Sequence, residues 1–268
     1  MSTERKKILL TGANGYIGKR LLPVLLNTHN VICCVRDKSR FSYIGENSEH
    51  CDVVEVDFLV DKTLNNIPND IEGAYFLMHS MSSSSQEFEV LEEKVALNFK
   101  TRLNETNIEH VIYLGGILND TSNSSKHLSS RNNVANILKE GKFNLTILGA
   151  GIIVGSGSSS FEIMRDLVEK LPVMIAPKWL LTKSQYIAIR NVIQYLDKVL
   201  FYKNAYNQSF DICGPKIMNY KQMLLEFAEV RKLKRWIIQV PFLSPKLSSY
   251  WLYFVTATSF NLARSLVG

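Results

Sequence analysis

Apolar runs of strand length alternate with helical patterns through the first 150 residues. Continuous apolar runs predict strands at 7–11, 31–35, 53–56, 74–78, 111–114 and 145–148. Apolar residues at helical spacing predict helices at 16–27 and 86–105. Strands that alternate with helices require crossover connections, which predicts an α/β domain over 1–150 with a parallel sheet covered on both faces.

The pattern is looser after Gly151. It predicts helices at 159–171, 191–202 and 220–232 and a strand at 209–212. We therefore expect residues 151–268 to form the remaining sheet edge and a small lobe. A terminal amphipathic helix is predicted over 245–268, and its apolar residues suit core packing, a homodimer face or peripheral membrane contact; they are Leu247, Tyr250, Trp251 and Phe254.

Two Ser/Asn-rich stretches, 80–85 and 119–125, follow the fourth and fifth predicted strands. Their composition is typical of flexible linkers. Their positions favour a different interpretation, because open α/β sheets bind ligands at the carboxyl ends of their strands. We expect both stretches to form the rim of a binding cleft.

Composition narrows the function classes. The chain carries 31 Lys and Arg against 25 Asp and Glu, a formal charge of +6 without a clustered basic stretch, so no nucleic-acid partner is expected. The four cysteines lack metal-ligand spacing and predict free thiols and no metal site. The first residues lack the apolar core of a signal peptide, and no run is long enough to cross a bilayer, so we expect a cytoplasmic protein.

The segment ILLTGANGYIG, residues 8–18, carries the clearest chemical signal. Gly12, Gly15 and Gly18 follow a predicted strand and open a predicted helix. Glycines permit a tight turn, and backbone N–H groups at a helix start can bind a pyrophosphate. This predicts a dinucleotide-binding loop that also includes Asn14, Tyr16 and Ile17. The fold prediction becomes a doubly wound parallel Rossmann sheet with a small C-terminal substrate lobe.

The second predicted strand ends at the sequence VRDKSR, where the adenine ribose of a dinucleotide lies in such folds. Arg36 and Arg40 favour NADPH, because a guanidinium pairs well with a 2′-phosphate. Asp37 leaves NADH open, since a carboxylate there accepts from the ribose 2′-hydroxyl.

The ends of the third and fourth predicted strands supply further cofactor candidates. Asp57 can accept from the adenine amino group, or cap a helix, and Phe58 can pack near the base. Met78 and His79 end the fourth strand at the ligand-facing edge. A single histidine in such a place is more often part of a polar pocket wall than a catalyst.

These stretches together resemble the extended and atypical short-chain dehydrogenase/reductases. The closer likeness is to the NmrA-like NAD(P)-binding subgroup, often labelled nucleoside-diphosphate-sugar epimerase. It rests on TGANGYIG, VRD, VDF, AYFLMHSM, VIYLGGI, HLSSR and FDICGP, which span nearly the whole chain. Longer members continue into a further C-terminal domain, and this chain ends near the point where that domain would begin.

The resemblance also identifies a departure. Most members use a Tyr-x-x-x-Lys pair after the fifth strand, and the matching positions here hold His127 and Arg131. Gly115 and Gly116 stand where a catalytic Ser or Thr is expected. Arg131 can still bind the ribose but cannot act as an acid, whereas His127 can exchange a proton near neutral pH.

Three functions are compatible with this sequence. The first is an NADPH-dependent reductase or isomerase of a small molecule, in which His127 replaces the tyrosine. The second is an NADP(H)-binding redox sensor without turnover, and the third is a membrane-associated assembly or quinone-related factor. The sequence does not choose between a monomer and a homodimer, nor does it name the substrate.

Overall fold

The computed structural model describes residues 5–78, 85–117, 126–176 and 178–240. The chain divides into two compact units. Unit 1 comprises Met1–Ala150 and Arg190–Ile212, and unit 2 comprises Gly151–Ile189 and Cys213–Gly268. Unit 1 therefore contains the predicted 1–150 domain together with a later helix and strand.

Unit 1 is built on one sheet of seven parallel strands in the order β3-β2-β1-β4-β5-β6-β10. The first six strands were predicted from their apolar runs, and this order gives the doubly wound Rossmann topology. The bounds are β1 (Lys7–Thr11), β2 (Asn30–Val35), β3 (Cys51–Glu55), β4 (Gly73–Phe76), β5 (His110–Gly116), β6 (Asn144–Ala150) and β10 (Gln208–Ile212).

Helices flank this sheet and complete its core. They are α1 (Gly18–Leu25), α2 (Ser85–Leu103), α3 (Lys126–Lys139) and α5 (Ile189–Val199). Aromatic rings dominate one side of the core, where Phe99 of α2 lies edge-on to Phe76 of β4 with centroids 4.9 Å apart. The Tyr75 hydroxyl donates to the carbonyl of Leu196, which ties α5 to the sheet with a buried hydrogen bond of 2.9 Å.

The described residues of unit 2 form two small sheets and two α-helices. Strand β9 (Lys183–Ala188) pairs with β7 (Ile152–Val154) in parallel and with β11 (Ile217–Asn219) in antiparallel orientation. Strand β8 (Val173–Ala176) pairs in parallel with β12 (Trp236–Gln239). Helices α4 (Ser159–Lys170) and α6 (Tyr220–Val230) pack around a second core that includes Val168, Met174 and Ala228.

Unit 2 departs most from the sequence predictions. Strands β7, β8, β9, β11 and β12 were not predicted, whereas α4, α5, α6 and β10 lie within three residues of their predicted bounds. Short 3-10 helices complete the described chain: Lys38–Arg40, Ser48–His50, Asp61–Asn66, Lys178–Leu181 and Lys203–Ala205.

Several predictions fall on residues outside the described ranges. They are the terminal helix over 245–268 and the rim stretches, apart from Ser85, which begins α2. The predicted membrane or dimer contact of the terminal helix therefore stays a prediction. None of the helices among the described residues combines the length and apolar content needed to cross a bilayer.

A candidate dinucleotide site

The loop between β1 and α1 has a backbone that only glycine accommodates at two positions. Gly12 has a φ of +66°, and a Cβ there would lie 2.8 Å from the carbonyl oxygen of Leu77. A Cβ on Gly18 would overlap the carbonyl oxygen of Gly12 and lie 2.8 Å from the Cα of Ala13. The Gly15 N–H donates to the Gly12 carbonyl at 2.8 Å, which closes the turn. The loop is thus held close to both β4 and its own helix.

Helix α1 begins without a side-chain cap. Ile17 occupies the N-cap position, makes no side-chain hydrogen bond to the helix, and no acidic residue lies in the first turn. Asn14 and Gly15, just before it, are exposed. The positive end of the helix dipole therefore has neither a side-chain cap nor an acidic residue in its own first turn, as in a site that binds an anion.

Thr11 fixes the floor beneath this loop. Its buried hydroxyl donates to the Tyr75 carbonyl at 2.8 Å and accepts from the Leu77 N–H at 3.1 Å. These two bonds join the carboxyl ends of β1 and β4. Met78 follows, half-buried against the core of unit 1, whereas His79 lies outside the described residues.

An arginine that the sequence analysis missed lies at the same loop. The Arg20 guanidinium is 3.9 Å from the centroid of the Tyr16 ring, and its Nη1 donates to the Tyr16 carbonyl at 3.1 Å. The Tyr16 hydroxyl is buried and has no hydrogen-bond partner within the described ranges. The i, i+4 spacing of an aromatic residue and an arginine at a helix start was the available signal.

The residues after β2 separate into an engaged carboxylate and two exposed cations. Asp37 Oδ1 accepts from the backbone N–H and the hydroxyl of Ser39, at 2.9 and 2.6 Å, and so caps the 3-10 helix Lys38–Arg40. The Ser39 hydroxyl lowers the pKa of Asp37. The side chains of Arg36 and Arg40 are exposed, and neither guanidinium makes a hydrogen bond or ion pair within the described ranges, although the charge of Arg40 also lowers the pKa of Asp37.

Asp57 and Phe58 differ in what they offer a ligand. The Asp57 carboxylate accepts from the Leu59 N–H at 2.9 Å and stabilises a turn, so it does not cap the following 3-10 helix, which begins at Asp61. The Phe58 ring is 4% exposed and packs on Phe99 with centroids 5.7 Å apart. A base at this edge would therefore meet Asp57 rather than a free aromatic face.

The far end of the cleft is formed by β5 and α3. A Cβ on Gly115 would lie 3.1 Å from the ring of Tyr113, so the bare backbone there leaves room for that ring. The Tyr113 hydroxyl donates to the Arg131 carbonyl at 3.4 Å, and burial raises its pKa above the usual value. Arg131 is half-buried on α3. The backbone of His127 belongs to α3, but its side chain lies outside the description.

Comparison with known proteins agrees with this geometry. The sequence model of the NAD(P)H-binding family matches residues 12–166, more than half of the chain. No curated protein sequence matches the chain.

Solved structures share the fold across nearly the full chain. Triphenylmethane reductase from Citrobacter sp., complexed with NADP(H), has a TM-score of 0.77 and 13% identity over 97% of this chain and 87% of its own. A nucleoside-diphosphate-sugar epimerase from Staphylococcus aureus has a TM-score of 0.76 and 13% identity over 97% of this chain and 88% of its own. A putative epimerase from Burkholderia cenocepacia has a TM-score of 0.73 and 14% identity over 98% of this chain and 97% of its own.

Proposed function

The chain belongs to the NAD(P)H-binding family, and we propose that it is an NADPH-dependent reductase or isomerase of a small molecule. The choice of NADPH over NADH rests on one observation: after β2, the carboxylate is hydrogen-bonded within the chain, whereas the two arginines are exposed. Asp37, the residue that would accept from the 2′-hydroxyl of NADH, is engaged with Ser39. Arg36 and Arg40 remain exposed beside it, and guanidinium groups suit the extra phosphate of NADPH.

The described residues fit a dinucleotide from end to end. The uncapped start of α1 and the loop from Gly12 to Gly18 suit the pyrophosphate. Asp57 suits the adenine amino group. Gly115 and Arg131 stand where the resemblance expects the nicotinamide ribose. When bound, NADPH supplies a hydride, and the protein contributes orientation and proton delivery.

The proton would come from or go to His127. It stands one helical turn before Arg131 on α3, so the two residues share a face of that helix. Arg131 stays charged and cannot exchange protons near neutral pH. This leaves His127 as the residue of the pair that can act as an acid or base, with Arg131 binding the ribose hydroxyls.

Cofactor titration of matched variants tests the first half of this proposal. Arg36→Ala removes a charge-assisted contact worth about 1.5–3 kcal/mol, so we expect NADPH to bind roughly 10- to 150-fold more weakly. NADH affinity should change less than about twofold, because NADH lacks the 2′-phosphate. Lys38→Ala, an exposed cation in the same loop, is the control and should change neither. Equal weakening of both cofactors in Arg36→Ala would contradict the assignment of Arg36.

A second candidate function is an NADP(H) sensor without turnover. It is supported by the residues that replace the usual catalytic set, since Gly115 and Gly116 offer no hydroxyl at the end of β5. NADPH oxidation with carbonyl and quinone acceptors separates the two. Turnover by the wild type that is lost in His127→Ala, but kept in the control His50→Ala, would support the enzyme. Tight NADPH binding with no turnover of any acceptor would favour the sensor.

A further inference from the structure

Two of the four cysteines form a close pair at the edge of the unit 1 sheet. The Sγ atoms of Cys33 in β2 and Cys51 in β3 are 3.8 Å apart. Cys34 is the neighbour of Cys33 in sequence, but successive strand residues point to opposite faces of a sheet, and Cys34 is buried in the aromatic core. All four cysteines are free thiols.

The strand register brings the pair together on one face. Val31 lies opposite Cys51, and Cys33 lies opposite Val53, so the cysteines are diagonal neighbours in adjacent parallel strands. Residues directly opposite one another in paired strands project to the same face. Cys51 and Val53 lie two residues apart in β3 and therefore point to the same face, which is also the face of Cys33. The two cysteine side chains thus share one face of the sheet.

The two thiols have different surroundings. Cys33 is fully buried, whereas Cys51 is partly exposed at the first position of its strand. The hydrogen bond between the thiols lowers the pKa of Cys51 and raises that of Cys33. Cys51 is thus the accessible sulfur with the greater thiolate character, and Cys33 is the protonated sulfur behind it.

We propose that Cys33 and Cys51 are a peroxide-oxidised dithiol, which closes to an intramolecular disulfide with Cys51 as the attacking residue. The Cys51 thiolate attacks one oxygen of hydrogen peroxide, the O–O bond breaks, and hydroxide leaves to give Cys51 sulfenic acid. The Cys33 sulfur then attacks the Cys51 sulfur, the S–O bond breaks, and the departing hydroxide takes the Cys33 proton to form water. Overall two thiols are oxidised and one peroxide is reduced to two waters.

Bond formation requires the strands as well as the two side chains to move. A disulfide has sulfur atoms about 2.05 Å apart, so the present separation of 3.8 Å must close by about 1.8 Å. Diagonal neighbours in adjacent parallel strands have Cα atoms about 8 Å apart, beyond the limit of about 7 Å for a disulfide, so rotation of the Cys51 side chain must be accompanied by a shift of the edge strand β3 towards β2. The bond would join the two strands whose carboxyl ends lead to Arg36 and Asp57.

Thiol alkylation after peroxide treatment tests the proposal on the intact protein. We expect a mass loss of 2 Da and two alkylated cysteines in place of four, with all four restored by dithiothreitol. Trypsin cleavage places Cys33 and Cys34 in peptide 21–36, Cys51 in 41–62 and Cys213 in 204–216. The linked species should join the first two peptides, and fragment ions should assign the bond to Cys33.

Matched variants sharpen the assignment. Cys34→Ser should keep the link, whereas Cys33→Ser should stop at a sulfenic acid on Cys51 that dimedone traps. The fragment ions of the wild type decide the bond even if a variant fails to fold. Four alkylated thiols after peroxide, a bond to Cys34 or a bond between two molecules would each overturn the proposal.

Discussion

The sheets of the two units differ in how their apolar residues are covered. Every residue of β5 in unit 1 is buried, because helices cover both faces of the seven-stranded sheet. In unit 2, β8 alternates, with Met174 and Ala176 buried while Val173 and Ile175 are 47% and 52% exposed. A run of apolar residues therefore corresponds to two different environments. In β5 of unit 1 both faces of the strand are buried, whereas in β8 of unit 2 only one face is buried.

The helices of the two units also begin differently. In unit 2, Ser158 accepts from the Phe161 N–H at the start of α4, and Asn219 forms a capping box with Gln222 at the start of α6. In unit 1, α1 begins behind the glycine loop with no such partner. Capping is the usual way to satisfy helix N–H groups. At α1 the N–H groups of Lys19 and Arg20 donate instead to the carbonyls of Gly15 and Ile17, and the glycine loop in front of the helix suits a pyrophosphate.

The largest expected effect is a difference in stability between matched substitutions in the unit 1 sheet and in the β8 sheet of unit 2. Ile112→Ala removes a fully buried side chain of β5 and should lower the free energy of unfolding by about 2–5 kcal/mol, through lost burial and a cavity. Ile175→Ala makes the same change at a half-exposed position and should lower it by less than about 1 kcal/mol. Urea denaturation measures both. Equal losses would mean that Ile175 is covered in solution and would remove the contrast.

The next effect concerns the glycine loop. Gly18→Ala places a methyl group against the Gly12 carbonyl and the Ala13 backbone, neither of which can rotate away. We expect the loop to shift and NADPH affinity to fall by about 100-fold, or about 2.7 kcal/mol. In the control Gly45→Ala, the new methyl group meets the Tyr43 hydroxyl, the end of a side chain that can move. Isothermal titration of both variants with NADPH measures the difference. An unchanged NADPH affinity in Gly18→Ala would contradict the assignment of the glycine loop as the pyrophosphate site.

A carboxylate placed at the start of α1 should weaken NADPH binding, because it would repel the pyrophosphate at this helix end. Ile17→Asp puts a negative charge at the start of α1, where the pyrophosphate would bind. NADPH affinity should fall about tenfold, or about 1.4 kcal/mol. Ile44→Asp, the same change at a 96% exposed position, is the matched control. Fluorescence titration that finds equal affinities in the two variants would show that no anion uses this helix end.

The smallest effect is expected at a capped helix of unit 2. Asn219→Ala removes the α6 capping box and should lower the free energy of unfolding by about 1 kcal/mol. NADPH affinity should stay at the wild-type value, because this cap serves the helix alone. Thermal denaturation with and without NADPH separates the two quantities. A loss of affinity comparable to that in Ile17→Asp would remove the distinction between helix starts.

The fold of unit 1 was readable from the sequence because most of its strands contain continuous apolar runs; the edge strands β3 (CDVVE) and β10 (QSFDI) are the more polar ones. The predicted bounds of β1 are those observed, and the helix prediction started two residues early because Tyr16 and Ile17 belong to the turn. The small strands of unit 2 gave no usable period. β8 reads VMIA, apolar at every position, although only alternate residues are buried.

The site was readable where backbone geometry demands a residue type. Gly12 and Gly18 could be assigned to the dinucleotide-binding loop because a side chain at either position would collide with backbone atoms. Asp37 accepts a hydrogen bond from the hydroxyl of Ser39, two residues further along the chain. The Asp-x-Ser spacing is typical of such local capping and could have predicted it. The burial of Phe58 against Phe99 joins residues about forty positions apart, which local pattern does not encode.

The glycine loop together with Arg36 and Arg40 is expected to hold NADPH in preference to NADH. Titration of the wild-type protein with each cofactor, followed by nucleotide fluorescence under identical salt, tests it most directly. We expect NADPH to bind at least tenfold more tightly than NADH, a difference of about 1.4 kcal/mol, because its 2′-phosphate pairs with Arg36. A tenfold preference for NADH, or no binding of either cofactor, would contradict it.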